Sequence, residues 1–136
     1  MMFLLLAVVL QTAAPTPEPP IQNADAIVRA DLETVLRDVE TARIRQTRGP
    51  RWGTVRESAW TVNTGWAVCY SINAQNGYGG YTGAKDYLFV ILNRRVEMRV
   101  KGGESLWFDG IIEDECGRPA DAFPAQSSTT IVPSQP

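Results

Sequence analysis

Apolar residues recur at helical spacing in the first third of the chain. Between Asn23 and Asp38 they fall three or four positions apart, which places them on one side of a helix. Asn23 is a suitable N-cap, and Asp25 follows in the first turn, where the helix dipole favours a carboxylate. Such a short helix is marginal alone, so its stripe should be buried against a sheet. The stripe contains Val28, Leu32, Val35, Leu36 and Val39.

Strand patterns follow in the middle of the chain. From Trp66 to Asn73, large residues alternate with the small residues Ala67, Cys69 and Ser71. The small side indicates that another element, with the helix as the candidate, packs closely over it. Residues 86–93 form a nearly continuous apolar run, which is typical of a central strand covered on both faces.

Turn residues separate these strands and complete the predicted fold. A first strand is predicted around Ile44, while Gly49-Pro50 and residues 63–65 each predict a turn. Residues 93–95 predict a tight hairpin turn, since Asn tolerates positive φ, and 96–100 alternate as a half-exposed strand. The fold predicted is α+β, with one N-terminal helix packed on an antiparallel sheet of three to five strands.

The two ends of the chain differ in composition from its middle. The first ten residues are apolar and uncharged and precede a proline-rich stretch, as in a secretory signal peptide. This run is too short for a transmembrane span. The predicted division is 1–14, signal peptide or N-terminal apolar segment; 15–22, proline-rich linker; 23–117, a single α+β domain; and 118–136, a disordered tail. The expected location is periplasmic or secreted.

The cysteine content supports export. Cys69 and Cys116 are far apart, and two cysteines in a small exported domain usually pair. A disulfide across this loop stabilises the fold by about 4 kcal/mol in the chain-entropy model. The alternative is two buried thiols.

The composition argues against several kinds of catalytic site, metal site and partner. The chain has no histidine, which removes Cys-His and Ser-His catalysis and histidine-based zinc sites. With 13 basic and 15 acidic residues the net charge is −2, and no basic run indicates a nucleic-acid partner. The excess of arginine over lysine fits a GC-rich genome better than a phosphate site. No metal or cofactor is expected.

The densest specific chemistry lies between the two central strands. Tyrosine faces there can stack on sugars or grip a peptide, and glycines let a backbone come close. The alternative is a purely structural loop. Tyr81 is expected to be packed and Tyr78 exposed, with at least one glycine at positive φ. The candidate binding loop comprises Asn76, Tyr78, Gly79, Gly80, Tyr81, Thr82 and Gly83.

One motif resembles a known pattern. Val68-Cys69, Asn73 to Asn76 and Gly79 to Gly83 are similar to V-C-x-x-[VI]-N-A-K-N-x-[FY]-G-G-Y-x-G, found in a family of small exported proteobacterial proteins described only as hypothetical or uncharacterised. The resemblance covers about 23–93, with Gln75 where lysine is usual and Val39 where proline is common. It implies export and a compact α+β domain, and it supplies no activity that can be carried over to this chain.

These observations favour a non-enzymatic role. The function expected is a small exported binding or accessory module of the cell envelope, whose partner is an envelope protein or a glycan. One alternative is an inhibitor of a cell-wall hydrolase, which needs an exposed, preorganised loop. The other is a carboxylate-based enzyme using Asp86 with Asp109 or Glu113. The acidic run 113–115 is more simply a solvated turn, and 106–108 should close one edge of the core.

Overall fold

The computed structural model describes residues 17–117, which form two helices and one four-stranded sheet. The strands run antiparallel in the order β1-β2-β3-β4, so each one lies beside its neighbour in sequence. The predicted α+β class and antiparallel sheet are confirmed, and a second helix is added. The expectations for 1–14 and 118–136 lie outside these residues. The elements are α1 (Ala24–Leu32), β1 (Arg43–Arg56), β2 (Val62–Asn73), β3 (Lys85–Leu92), β4 (Arg95–Lys101) and α2 (Leu106–Cys116).

Helix α1 covers the face of the sheet that carries the large side chains. Its Asn23 cap accepts a hydrogen bond from the Ala26 N–H at 3.2 Å, as the sequence predicts. Val28 and Leu32 are fully buried against a cluster that includes Tyr70 and Phe89. α1 ends at Leu32 and continues only as turns.

The expected burial of Val35 is wrong because of this early end. Its side chain lies in the turns that follow α1 and is 48% exposed. Leu36 is only partly buried against the same cluster.

A hydrogen bond ties the large-residue face to α1. The Tyr70 hydroxyl donates to Asp25 Oδ1 at 2.6 Å. Burial, together with this hydrogen bond, raises the pKa of the Tyr70 phenol above its usual value of 10.0. Tyr87 lies in the same cluster, where burial and, secondarily, nearby Glu104 raise the pKa of its phenol as well.

Helix α2 covers the opposite face and overturns two expectations. The small residues Ala67 and Cys69 pack against α2, whereas the sequence pointed to the N-terminal helix. Close packing was therefore predicted correctly but was assigned to the wrong helix. Residues 106–108 begin α2, where Phe108 packs against the core as expected while Leu106 and Trp107 are exposed. Residues 113–115 are helical instead of forming a turn.

The pairing of α2 with β2 is covalent. Cys69 on β2 and Cys116 at the end of α2 form a disulfide with a Cα–Cα distance of 5.7 Å, which confirms the predicted bond. Neither helix within 17–117 combines the length and apolar character that crossing a membrane would require.

The first strand is longer than predicted because a bulge takes the place of a turn. Gly49-Pro50 lies inside β1, where the pairing with β2 shifts register on both sides of Arg48. Gly49 has a φ of +86°, and a Cβ there would lie 2.5 Å from the Ala67 carbonyl oxygen, so only glycine fits. Residues 63–65, expected to form a turn, lie within β2.

The turn between β3 and β4 is confirmed. Asn93 and Arg94 both have positive φ, at 52° and 60°, and Leu92 pairs directly with Arg95. The Asn93 N–H donates to Glu18 Oε1 at 2.6 Å, and Ile21 packs against the α1-face cluster. The proline-rich linker thus touches the domain at two points.

Candidate functional site

The loop that joins β2 to β3, residues 74–84, is held in one shape by its own hydrogen bonds. Asn76 is at the centre of this network. Its side-chain oxygen accepts from the N–H groups of Tyr78 and Gly80 at 2.9 and 3.1 Å, and its own N–H donates to the Gly80 carbonyl at 2.7 Å. An asparagine side chain can satisfy nearby backbone donors in this way only in a tight turn. The tip of the 74–84 loop is therefore ordered by local chemistry.

The base of the 74–84 loop is fixed to the strands below it. Thr82 donates to the Ala74 carbonyl from its N–H at 3.2 Å and from its hydroxyl at 3.3 Å. The Gly83 N–H donates to Asn73 Oδ1 at 3.1 Å. Gly79 and Gly83 have φ values of +80° and +97°, as predicted for at least one glycine. Substituting alanine at either glycine would strain the backbone.

The two tyrosines of the 74–84 loop have different surroundings. The Tyr81 hydroxyl donates to the Thr41 carbonyl at 3.0 Å, and the Arg43 guanidinium lies 4.0 Å from the centre of its ring. Tyr81 is 38% exposed, whereas Tyr78, at the tip, is 100% exposed. The expected contrast between a packed Tyr81 and a solvent-facing Tyr78 agrees with this geometry.

Two arginines that the sequence did not single out border the 74–84 loop. Arg43 stacks on Tyr81, and a Cβ on Gly77 would lie 2.9 Å from Arg37 Nη1. Arg43 belongs to β1 and Arg37 to the segment between α1 and β1, so only the folded chain brings these residues to the 74–84 loop. Positive charge thus borders this loop at two points.

The carboxylates considered for catalysis lie on two elements, β3 and α2. Asp86 is exposed on β3, and its backbone carbonyl accepts from Gly102. Asp109 Oδ1 accepts from the Gly103 N–H at 2.7 Å, which fixes the turn that leads into α2. Glu113 lies one turn further along α2 and is exposed. Within 17–117, no three acidic or cysteine side chains are grouped so that they could hold a metal ion.

Some clefts lie away from the 74–84 loop. One, of about 640 Å³, lies between residues 57–61 and the start of α2, and Trp107 and Phe108 form part of its wall. The Trp107 indole N–H donates to the Glu57 carbonyl at 2.7 Å. Trp60, in the loop between β1 and β2, is 95% exposed, and Leu106 is 90% exposed. This end of the molecule, opposite the 74–84 loop, therefore exposes two large apolar side chains.

Comparison of the chain with protein-family models, with curated proteins and with solved structures finds no match. Any interpretation of the 74–84 loop therefore depends on the geometry of the described residues. The motif resemblance and the role of the seven candidate loop residues stay predictions.

Proposed function

We propose that the protein is an exported, non-enzymatic binding module of the cell envelope that presents the 74–84 loop to its partner. The observation that supports this most is Tyr78. A fully exposed aromatic ring gains nothing for the fold, yet the turn beneath it is built with an asparagine network and a positive-φ glycine. Such a turn is more ordered than a connection between two strands requires.

A loop that is already ordered before binding can bind more tightly. An interface residue loses conformational freedom when it binds, and a loop already held in one shape loses less. Tyrosine is among the residues that most often dominate an interface, because it buries a large area with few rotatable bonds. The 74–84 loop combines an ordered backbone with an exposed tyrosine, Tyr78, at its tip.

The same geometry meets the requirement set for an inhibitor of a cell-wall hydrolase, which must insert an exposed and rigid loop into a cleft. That reading stays an alternative within the proposal. The carboxylate-based enzyme is the weaker alternative, because Asp109 Oδ1 is engaged by the Gly103 N–H and Asp86 and Glu113 are exposed at the surface.

The test compares two exposed aromatic residues in two hairpin loops. Tyr78→Ala removes the ring at the tip of the 74–84 loop, and Trp60→Ala removes an equally exposed ring from the other end of the sheet. Binding to purified peptidoglycan sacculi and to soluble periplasmic proteins is measured for both variants and the wild type. Tyr78→Ala should weaken binding about 30-fold, as the loss of roughly 2 kcal/mol at a hot spot implies. Trp60→Ala should change it less than about two-fold.

Stability measurements separate binding from folding. Tyr78→Ala should alter the free energy of unfolding by less than about 0.5 kcal/mol, since its ring touches nothing. Equal loss of binding in both variants would indicate general adhesion of exposed aromatics and would overturn the proposal. Loss of stability in Tyr78→Ala would assign the ring to the fold. Tyr78-dependent inhibition of a muramidase would select the inhibitor reading.

A further inference from the structure

We infer that the partner of the 74–84 loop is an anionic glycan, and that a row of arginines along one face of β1 binds its acidic groups. This inference rests on the proposed function and specifies its ligand class. The row, called here the arginine row, consists of Arg43, Arg45, Arg48 and Arg51.

The register of the sheet places the arginine row on a single face. Each of the four pairs with a residue on β2, and these partners lie two positions apart along that strand. Directly opposed residues in an antiparallel pair point to the same face. Two of these partners, Cys69 and Ala67, belong to the core cluster that packs against α2, so the whole row faces the α2 side of the sheet. The pairs are Arg43 with Asn73, Arg45 with Ser71, Arg48 with Cys69 and Arg51 with Ala67.

Two bulges create this alignment. The row occupies positions 43, 45, 48 and 51, so in a regular strand Arg48 would point to the face opposite the other three. The register shifts on either side of Arg48 insert the extra residues and return each arginine to the same side. β1 carries no acidic residue over its whole length.

Among the described residues, three of the four arginines in the row have no carboxylate partner. Arg51 forms a salt bridge with Glu115 near the end of α2. Among residues 17–117 the other salt bridge joins Arg99 to Asp31, so Arg43, Arg45 and Arg48 have no carboxylate within ion-pair distance there. All three arginines are exposed. The Arg48 guanidinium reaches the end of α2, where a Cβ on Gly117 would lie 3.1 Å from its Nη1, whereas Arg43 and Arg45 pair with Asn73 and Ser71 further along β2.

The arginine row is continuous with the 74–84 loop. Arg43 is both its first member and the cation stacked on Tyr81. The six residue-to-residue steps from Ala67 to Asn73 on β2 correspond to about 20 Å of strand. Charge and aromatic surface thus form one linear track that runs from the middle of β1 to the tip of the loop.

A glycan fits this track better than a protein does. Protein interfaces centre on apolar anchors in buried pockets, whereas the side chains opposite the open part of the row are Asn73 and Ser71. Guanidinium groups pair with carboxylates or phosphates in a planar, bidentate geometry. Tyrosine faces stack on sugar rings. A linear polymer that repeats both sugar rings and acidic groups matches the two features together.

The experiment uses polygalacturonate as the probe, with methyl-esterified polygalacturonate as its uncharged counterpart. Arg45→Gln/Arg48→Gln is compared with Arg94→Gln/Arg95→Gln, which removes two exposed arginines from the turn at the far end of β3 and β4. The wild type should bind the acid form and not the ester. The first double variant should weaken this binding about ten-fold or more, and the second less than about two-fold. Melting temperatures should match the wild type for both.

The outcomes separate this inference from the proposed function. Equal weakening in the two double variants, or tighter binding of polyglutamate or duplex DNA than of polygalacturonate, would overturn it. Tyr78-dependent binding to sacculi or periplasmic proteins without any binding of polygalacturonate would also overturn it while leaving the proposed function in place. Arginine-dependent binding of polygalacturonate that Tyr78→Ala leaves unchanged would support the row and reject the loop.

Discussion

The two faces of the sheet hold their helices by different means. On the α1 face, the strands supply large side chains such as Tyr70 and Phe89, and α1 inserts Val28 and Leu32 among them. On the α2 face, β2 supplies the small residues Ala67 and Cys69, and a disulfide fastens the helix. α1 is held by burial together with the Tyr70–Asp25 hydrogen bond and the Arg99–Asp31 salt bridge, and α2 by burial together with a covalent bond.

The difference follows from what each helix can bury. α1 is short, but its apolar stripe fits a surface of large side chains. α2 is longer and buries only Ile111 and Ile112, while Leu106 at its start is almost fully exposed. Phe108 adds a partly buried ring beside these two isoleucines. The disulfide joins the end of α2 to β2 in addition to this packing.

Removing the disulfide is the strongest way to test this contrast. Cys69→Ser/Cys116→Ser opens a loop with a sequence separation of 47, which should lower the free energy of unfolding by about 4 kcal/mol in the chain-entropy model. Urea unfolding measures the loss. Hydrogen exchange should accelerate far more in α2 than in α1. Equal acceleration in both helices would show that the two faces form one cooperative unit and that the disulfide does not hold α2 separately.

The α1 face was largely predictable from sequence, and α2 was not. The stripe at Val28 and Leu32 has helical spacing, and Asn23 marks its start. The second helix has few such signals: Gly110 interrupts it, its first apolar residues face water, and its acidic residues resemble a solvated turn. The cysteine pair did predict that residue 116 lies against β2, but it carried no information about the intervening conformation.

Truncating a leucine of α1 gives the next largest effect. Leu32→Ala leaves a cavity in the α1-face cluster and should cost about 3 kcal/mol. Val35→Ala is the matched control, because Val35 lies three residues later and is largely exposed, and it should cost less than about 0.5 kcal/mol. Thermal or urea unfolding of the two variants decides the point. Similar losses would mean that α1 continues past Leu32 in solution and buries Val35.

Part of the candidate site consists of residues adjacent in sequence, and part depends on contacts between residues that are distant in sequence. Asn76, Tyr78 and the glycines of the 74–84 loop are adjacent in sequence, so their chemistry could be recognised there. The arginine row could not, because its alignment depends on two bulges in β1 that a turn prediction at Gly49-Pro50 concealed. The contact between Arg43 and Tyr81 likewise exists only once β1 and the loop are brought together.

The smallest expected effect concerns alkaline pH and again distinguishes the faces. The α1-face cluster contains Tyr70 and Tyr87, and the α2-face cluster contains no tyrosine among the described residues. Burial, with the Asp25 hydrogen bond in the case of Tyr70, raises the pKa of both phenols in the folded state above the ordinary 10.0. The folded protein therefore keeps protons that the unfolded chain releases. Stability from this source is complete below pH 10 and declines above it, by at most about 1.4 kcal/mol per pH unit for each group.

Replacing one phenol tests that sign. The free energy of unfolding of the wild type should fall between about pH 10 and pH 11.5, and Tyr70→Phe should make the fall shallower. Tyr70→Phe also removes the hydrogen bond to Asp25, so its stability at neutral pH should drop by about 1 kcal/mol. Tyr78→Phe changes an exposed ring and should leave the slope as in the wild type. A slope that Tyr70→Phe does not alter would mean that the phenol on the α1 face reaches water in the folded protein, and that this face is looser than its packing indicates.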